Sequence, residues 1–271
     1  MTSSNKSIDL SIVAAAHNEE ENLTALVEEI VAAISPTDDS FEIIIVDDGS
    51  TDGSGKLLKE LMIQYPQLRS IKMLNTPPGK GNGQSAAFYA GFRAANGKLI
   101  IPLDADLQND PADIPAMVEL LHSSNADLVQ GDRSADRQDN LVKRVTSIIG
   151  RLSRKVLLKD SIRDTGCSLR VMKREVALAL PLEFKGMHRF IPGTARQLGY
   201  KVVETPVHHR PRIAGTTKYG IANRAIPGLI DCFATRWMHN RRKPTAASEL
   251  QAASTNPIEH KQQPTKQEAT T

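Results

Sequence analysis

Two carboxylates one residue apart close an apolar run in Lys98–Pro111, which reads KLIIPLDADLQNDP. Leu99, Ile100, Ile101 and Leu103 are β-prone and uncharged, the pattern of a buried central strand, and Asp104 and Asp106 follow at its carboxyl end. In extended backbone, positions i and i+2 share a face, so the two acids point the same way. Held side by side they repel, and an unpaired charge is costly to desolvate. A divalent cation resolves both problems. So few hard oxygen ligands suit Mg²⁺ or Mn²⁺ completed by substrate phosphates rather than a closed protein cage. Taken alone, an Asp-x-Asp after a strand is equally a polar turn, and its meaning depends on what surrounds it. Asp110-Pro111 reads as an N-cap and first helical residue, which places the acids on a short loop above a sheet.

Other polar clusters carry weaker signals. Asp47-Asp48 at a strand end suits a ribose or base edge, and equally a turn before Gly49. The glycines of Thr76–Gly83 (TPPGKGNG) suggest a phosphate cradle, but the spacing before Lys80 is not that of a Walker A loop, and a flexible turn is the alternative. Arg133, Lys143, Arg144, Arg170 and Arg212 could clamp phosphates or simply face solvent. His208 and His209 are adjacent, and in a strand they point to opposite faces, so one metal does not take both. Cys167 has no CxxC partner and reads as a small buried residue.

The elements that must position these groups alternate in type. Strands are expected at Leu10–Ala15, Phe41–Val46, Ile71–Leu74, Leu99–Leu103, Ala126–Gln130, Ser168–Met172 and Lys201–Val207. Between them, helices are expected after an Asn18 cap, after Gly53, from Gln84 to Ala95 and from Pro111 to His122. This order predicts an α/β fold with a doubly wound, mostly parallel sheet, in which ligands bind beyond the carboxyl ends of the strands. Asp47/Asp48, the glycine loop and Asp104/Asp106 all fall at such ends. Leu141–Lys159 reads as a basic amphipathic helix.

The chain is long enough for one large α/β domain or two small ones, and its two cysteines make no disulfide framework, which predicts a reducing, cytoplasmic setting. MTSSNKSIDL has no apolar leader core and no run of about twenty apolar residues occurs, so neither a secretory signal nor a membrane span is expected. The net charge of +3 hides an asymmetry: 8 Lys/Arg against 19 Asp/Glu in residues 1–131, 12 against 5 in 132–174, and 14 against 7 in 175–271. The later part is therefore expected to meet phosphates or a membrane surface. Aromatics are only 4%, and no stacking platform for nucleic acid is present. Residues 1–7 and 244–271 lack the apolar content to fold. That leaves a domain at 8–214 and an amphipathic arm at 215–243, in which Pro227-Gly228 is expected to separate two short helices. The arm could lie on lipid, pack on the domain, or dock onto a separate membrane-embedded subunit.

Seven motifs in this order resemble the family 2 glycosyltransferases, in the branch that moves sugars to polyprenyl phosphates and includes dolichol-phosphate mannosyltransferases and undecaprenyl-phosphate aminoarabinose transferases. They are HNEEENL (His17–Leu23), VDDGSTDGS (Val46–Ser54), GQSAAFYAGF (Gly83–Phe92), DADLQNDP (Asp104–Pro111), RQDNL (Arg137–Leu141), DTGCSLR (Asp164–Arg170) and VHHRPRIAGTTKY (Val207–Tyr219). The resemblance covers about residues 8–220. It implies a GT-A fold and inverting transfer from a UDP- or GDP-sugar to a polyprenyl phosphate, on the cytoplasmic face of a membrane. By position, Glu19 and Asp48 would bind the nucleotide with Ala15 and Val46 lining its pocket. Asp104, Asp106 and Gln108 would hold the metal and donor diphosphate, Arg133, Arg144 and Ser147 the acceptor phosphate, and Arg212 and Lys218 would close over the diphosphate. Ala15 stands where proline is common in the family, and Lys143 where a first arginine is. Relatives with aminoarabinose-type loops continue into transmembrane helices, which this sequence is not expected to contain. A nucleotidyltransferase and a non-catalytic nucleotide or membrane adaptor are the competing functions. The first normally wants a glycine-rich basic loop after the first strand, where this chain has HNEEEN; the second predicts loss of the metal acids, which are present.

If Arg144 meets the acceptor phosphate, Arg144→Ala raises the acceptor KM far more than the donor KM, since losing a charge-assisted hydrogen bond costs about 1.5–3 kcal/mol. Steady-state kinetics with each substrate varied in turn checks this; equal effects on both would assign Arg144 elsewhere.

Overall fold

A computed structural model describes residues 8–77, 79–134, 154–158, 160–211 and 222–243. The strands are β1 (Leu10–Ala16), β2 (Phe41–Asp47), β3 (Leu68–Lys72), β4 (Leu99–Asp104), β5 (Leu128–Asp132), β6 (Arg170–Lys173) and β7 (Val202–Pro206), in one sheet ordered β3-β2-β1-β4-β6-β5-β7. Only β6 runs against its neighbours; the other pairings are parallel. The helices are α1 (Glu20–Ile34), α2 (Ser54–Gln64), α3 (Gln84–Ala94), α4 (Ile114–Ser123), α5 (Arg174–Ala179), α6 (Ile191–Gln197) and α7 (Ala222–Arg241), with a further helical segment at 154–158. Among the described residues no helix is long and apolar enough to cross a membrane. Met1–Asn240 forms one compact unit and the chain from Arg241 a second.

The central strands are covered on both faces, which is why their sequences run apolar without alternating. Ile12, Ala14, Ile43, Ile45, Ile101 and Leu103 pack with α1 and α4 on one side. Val13, Val46 and Ile100 pack with Phe88 and Phe92 of α3 on the other, where the two rings stack 5.5 Å apart. Gly91 lets α3 close onto the sheet: a Cβ there would lie 2.4 Å from Val13 Cγ1 and 3.0 Å from Val46 Cγ2. Register then does the positioning. Ala15 of β1 pairs with Val46 of β2 on one side and with Asp104 of β4 on the other, so these residues reach the strand ends at one level. Pairing of β4 with β6 is confined to Leu99 and Ile100. Beyond it the two strands part, which makes room for Pro102, a residue with no N–H to give to a ladder.

Four details differ from the sequence reading. β3 begins at Leu68 rather than Ile71, because Leu68 pairs with Ile43 and is buried, whereas Leu74 is exposed. β5 and β6 each start two residues later than expected, their starts set by pairing with each other. Asn18 does not cap α1; Glu19 occupies that position, while Asn18 takes a left-handed conformation (φ 56°) and its Oδ1 accepts from Thr51 N at 2.7 Å. Pro227-Gly228 does not divide the carboxyl-terminal arm, since α7 runs straight through both. One lost backbone hydrogen bond is outweighed by tertiary anchoring: Cys232 is buried, Thr235 meets Met187, and Arg236 donates to the Leu157 carbonyl at 2.6 Å. Most of the helix expected at 141–159 lies outside the described residues.

Gly91→Val should wedge α3 from β1 and β2. Overpacking of this kind costs about 1–3 kcal/mol, read as a lower urea midpoint at unchanged slope; an unchanged midpoint would show that α3 does not need this close approach.

Candidate active site

The loops after β1 and β2 interlock before they reach any ligand. Asn18 N donates to Ser50 Oγ (3.0 Å), Glu19 N to Ser54 Oγ (3.3 Å), and Gly53 N to Glu20 Oε2 (2.8 Å). His17 donates from Nδ1 to the Asp48 carbonyl at 2.8 Å, which fixes its tautomer. The polar residues of HNEEEN and DDGSTDGS thus hold one another, and Asn22 donates to Glu19 Oε2 at 2.6 Å. Ala15 and Val46 lie just beneath, with Val46 fully buried.

Asp48 is buried and grips the glycine loop. Its Oδ1 accepts from Asn82 N (2.8 Å) and its Oδ2 from Gly83 N (2.6 Å). Gly81 has to be glycine for this, because a Cβ there would lie 2.4 Å from Asp48 Oδ2. In this structure the loop cradles a carboxylate of the protein itself. Its next residue, Gln84, opens α3 and donates from Nε2 to Asp104 Oδ1. Ser85 then bonds His188, accepting from the His188 backbone N–H at 3.0 Å and lying 2.8 Å from Nδ1. Burial, with Arg189 and Arg170 nearby, brings His188 down to about 3, so it is neutral and its Nδ1 accepts from the serine.

Asp104 and Asp106 meet the buried half of the site. Burial first, and the charge of Asp106 second, raise Asp104 to about 6 against the pull of Ser168, Arg133 and Arg170. Asp106 is almost fully covered and accepts from Gln108 N at 3.3 Å. The backbone turns through Leu107 at φ 59°. Arg170 is buried under these acids. Its hydrogen bonds go to uncharged acceptors, Gln130 Oε1 (2.6 Å) and the carbonyls of Thr165 and Ser168. Burial lowers it only to about 10, so it stays cationic. Arg133 is also buried. Its Nε and Nη2 form a fork on Asp164 (2.8 and 3.2 Å), and that pairing pushes its pKa up although burial opposes it. Burial lifts Cys167 to about 11, an inert thiol.

A strap at 208–210 lies along the loop of the two acids. Arg210 N donates to the Gln108 carbonyl (2.9 Å), and its guanidinium bridges Glu29 (2.7 Å) and Asp110 (2.6 Å). His209 bridges backbone to Asn109, while the His208 ring sits 2.7 Å from Asp113 Oδ1; the two histidines serve different partners. Among the described residues no three His, Cys, Asp or Glu side chains converge on one point.

The structure brings together Ala15, Glu19, Val46, Asp48, Asp104, Asp106, Gln108 and Arg133 at the carboxyl ends of β1, β2, β4 and β5. Arg144, Ser147, Arg212 and Lys218 lie outside the described residues. Gln84, Ser168, Arg210 and the Ser85–His188 pair were not singled out in the sequence. Gln84 alone had a signal available, as the first residue after a glycine-rich turn into a helix. Arg170, a possible clamp by sequence, is a buried support.

A family model described as Glycosyl transferase family 2 matches residues 11–180. The undecaprenyl-phosphate 4-deoxy-4-formamido-L-arabinose transferase of Pectobacterium atrosepticum is 37% identical over 229 residues, covering 84% of this chain and 68% of the relative. The transferase of the same name from Yersinia enterocolitica is 35% identical over 237 residues, covering 87% and 70%. Among solved structures, glucosyl-3-phosphoglycerate synthase from Mycobacterium tuberculosis, in complex with Mn²⁺, UDP and glucosyl-3-phosphoglycerate, aligns with TM-score 0.61 at 21% identity over 83% of this chain and 80% of that one. The mannosyltransferase PcManGT from Pyrobaculum calidifontis, in complex with GDP-Man and Mn²⁺, aligns at 0.58 and 20% identity over 87% and 65%. The fold is of the GT-A type.

Because Asp104 is raised to about 6 in the folded protein, the native state holds a proton that the unfolded chain has released. The stabilisation this brings is complete below pH 4 and is lost as pH rises through 6. In metal-free protein, the stability of Asp104→Asn minus that of the parent should therefore grow from pH 4 to 7, measured by urea unfolding; a flat difference would contradict the shift.

Proposed function

We propose that this chain, which belongs to glycosyl transferase family 2, transfers a sugar from a UDP- or GDP-sugar to a polyprenyl phosphate with inversion at the anomeric carbon. The observation that carries this is the register that sets Ala15, Val46 and Asp104 at one level across three strand ends, with Asp106 one turn of loop beyond. The sequence likeness to transferases named for undecaprenyl phosphate supports the acceptor class.

The donor set suits a divalent ion. Two carboxylates are held together at the cost of raising Asp104, and the added charge of Mg²⁺ or Mn²⁺ would favour its ionised form. Asp104, Asp106 and Gln108 would hold that ion, whose chemistry is to neutralise the departing diphosphate as a Lewis acid. The chain's own residues do the rest. Ala15 and Val46 border the nucleotide with Glu19, and Asp48 acts through the glycine loop that it holds. Arg133, Arg144 and Ser147 orient the acceptor phosphate, and Arg212 and Lys218 cover the diphosphate.

An acceptor phosphate oxygen attacks the anomeric carbon opposite the leaving group. The C–O bond to the diphosphate breaks, its electron pair leaves with the nucleoside diphosphate, and a sugar–phosphate–prenyl diester remains. A phosphate monoester has a second pKa near 6 and is largely dianionic at pH 7, so no strong general base is needed. Electrostatic stabilisation of the leaving group is the main demand.

Asp106→Asn should lower transfer about a hundredfold or more, the scale of losing a charge-stabilising group, while the variant stays folded by circular dichroism. Transfer of labelled sugar to a short-chain prenyl phosphate, with and without EDTA, is the assay; full turnover in EDTA or in the variant would remove the metal from the account.

A further inference from the structure

Helix α7 has two unlike sides. Cys232 and Thr235 are buried against the domain, and Asp231, the one carboxylate among its described side chains, abuts Gly186 on the same side. On the other side Leu229 is 45% exposed, Ile230 61%, Phe233 55% and Trp237 60%. At 100° per residue these four fall within an arc of about 100°, directed away from the packed residues. Arg236 is exposed on the helix at the edge of this stripe, and in the sequence Arg241, Arg242 and Lys243 follow with no acid between.

We infer that this outward face of α7 is a docking surface for an anionic lipid bilayer, resting on the proposed transfer to a lipid-borne phosphate. Charge decides the occupant. An apolar stripe bordered by a cation, with the helix's one described carboxylate on the packed side and three more cations following in the sequence, fits a surface that is greasy within and negative at its headgroups, and a tryptophan suits the boundary between them. A second copy of the chain would set these cations against one another. The helix is not apolar enough to span a membrane, so it would lie in the interface with its stripe about 5–10 Å deep. Held there, the enzyme meets an acceptor whose phosphate sits at the same depth as the headgroups.

Trp237 is the only tryptophan of the chain, so the face carries its own reporter. Mixing full-length protein with phosphatidylglycerol/phosphatidylcholine vesicles, without donor or acceptor, should shift its fluorescence to the blue. The protein should co-sediment with the vesicles, more than tenfold less at high salt or on pure phosphatidylcholine. Ile230→Ser combined with Phe233→Ser should weaken vesicle binding at least tenfold and leave turnover of a water-soluble short-chain prenyl phosphate unchanged. Binding that the double variant does not alter, or no binding to any vesicle, would overturn the inference. So would a dimer in solution that the double variant dissolves, or binding to native membranes but not to protein-free vesicles; these assign the face to a second copy and to a protein partner. Vesicle binding without any sugar transfer would remove the catalytic proposal and leave this surface standing.

Discussion

Asp104 ends a strand buried on both faces and shares its crevice with a second acid, Asp106. Two negative charges in so little water are unfavourable, and the surrounding structure is arranged to tolerate them. Arg170 brings a full positive charge beneath them without a carboxylate of its own to neutralise it, because its hydrogen bonds go to Gln130 and to backbone carbonyls. Gln84 donates to Asp104 from the helix start opposite. The balance falls short of complete, since Asp104 still sits near 6. The proposed divalent cation would make up that shortfall.

The antiparallel strand β6 is the means by which the Arg170 charge reaches the acids. Its reversed direction brings its first residue, Arg170, and the turn Asp164–Ser168 before it to the same end of the sheet as Asp104. Gln130 then ties that turn down by donating to the carbonyls of Asp164 and Cys167. On the opposite flank, Asp48 holds the glycine loop and so fixes where α3 begins. Much of the acidity of the first half is spent in this way. Asp48 binds a loop, Asp47 and Asp52 shape the next turn, and Glu42, buried at the far end of its strand, gathers Ser11, Asn96 and Arg69. Part of the negative balance of residues 1–131 is therefore internal, in Glu42, Asp47, Asp48 and Asp106, whereas the basic excess later in the chain includes the exposed end of α7.

The parts of this arrangement legible in the sequence are those set by local pattern. An apolar run ending in acids gave β4 and its pair, and alternating strand and helix signals gave the parallel order. Asp110-Pro111 behaved as a cap, Asp110 accepting from Ala112 N at 3.0 Å. What escaped depends on contacts distant in sequence. Ser85 and His188 are far apart in the chain yet share two hydrogen bonds, and no spacing rule pairs them. Arg170 looks like any other arginine until β6 buries it. Asn18 has the composition of a helix cap but the conformation of a loop staple. At Pro227 a local rule failed because packing at Cys232 and Thr235 outweighed one missing hydrogen bond.

The central claim is that a lipid phosphate, attacking carbon, receives the sugar at these acids. Mass spectrometry of the lipid extract after incubation with UDP- and GDP-sugars, Mn²⁺ and a prenyl phosphate tests it most directly. The account predicts a new lipid heavier than the acceptor by one dehydrated sugar residue, with nucleoside diphosphate released in equal amount. Pyrophosphate or a nucleoside monophosphate as the co-product, or free sugar with the lipid unchanged, would contradict it.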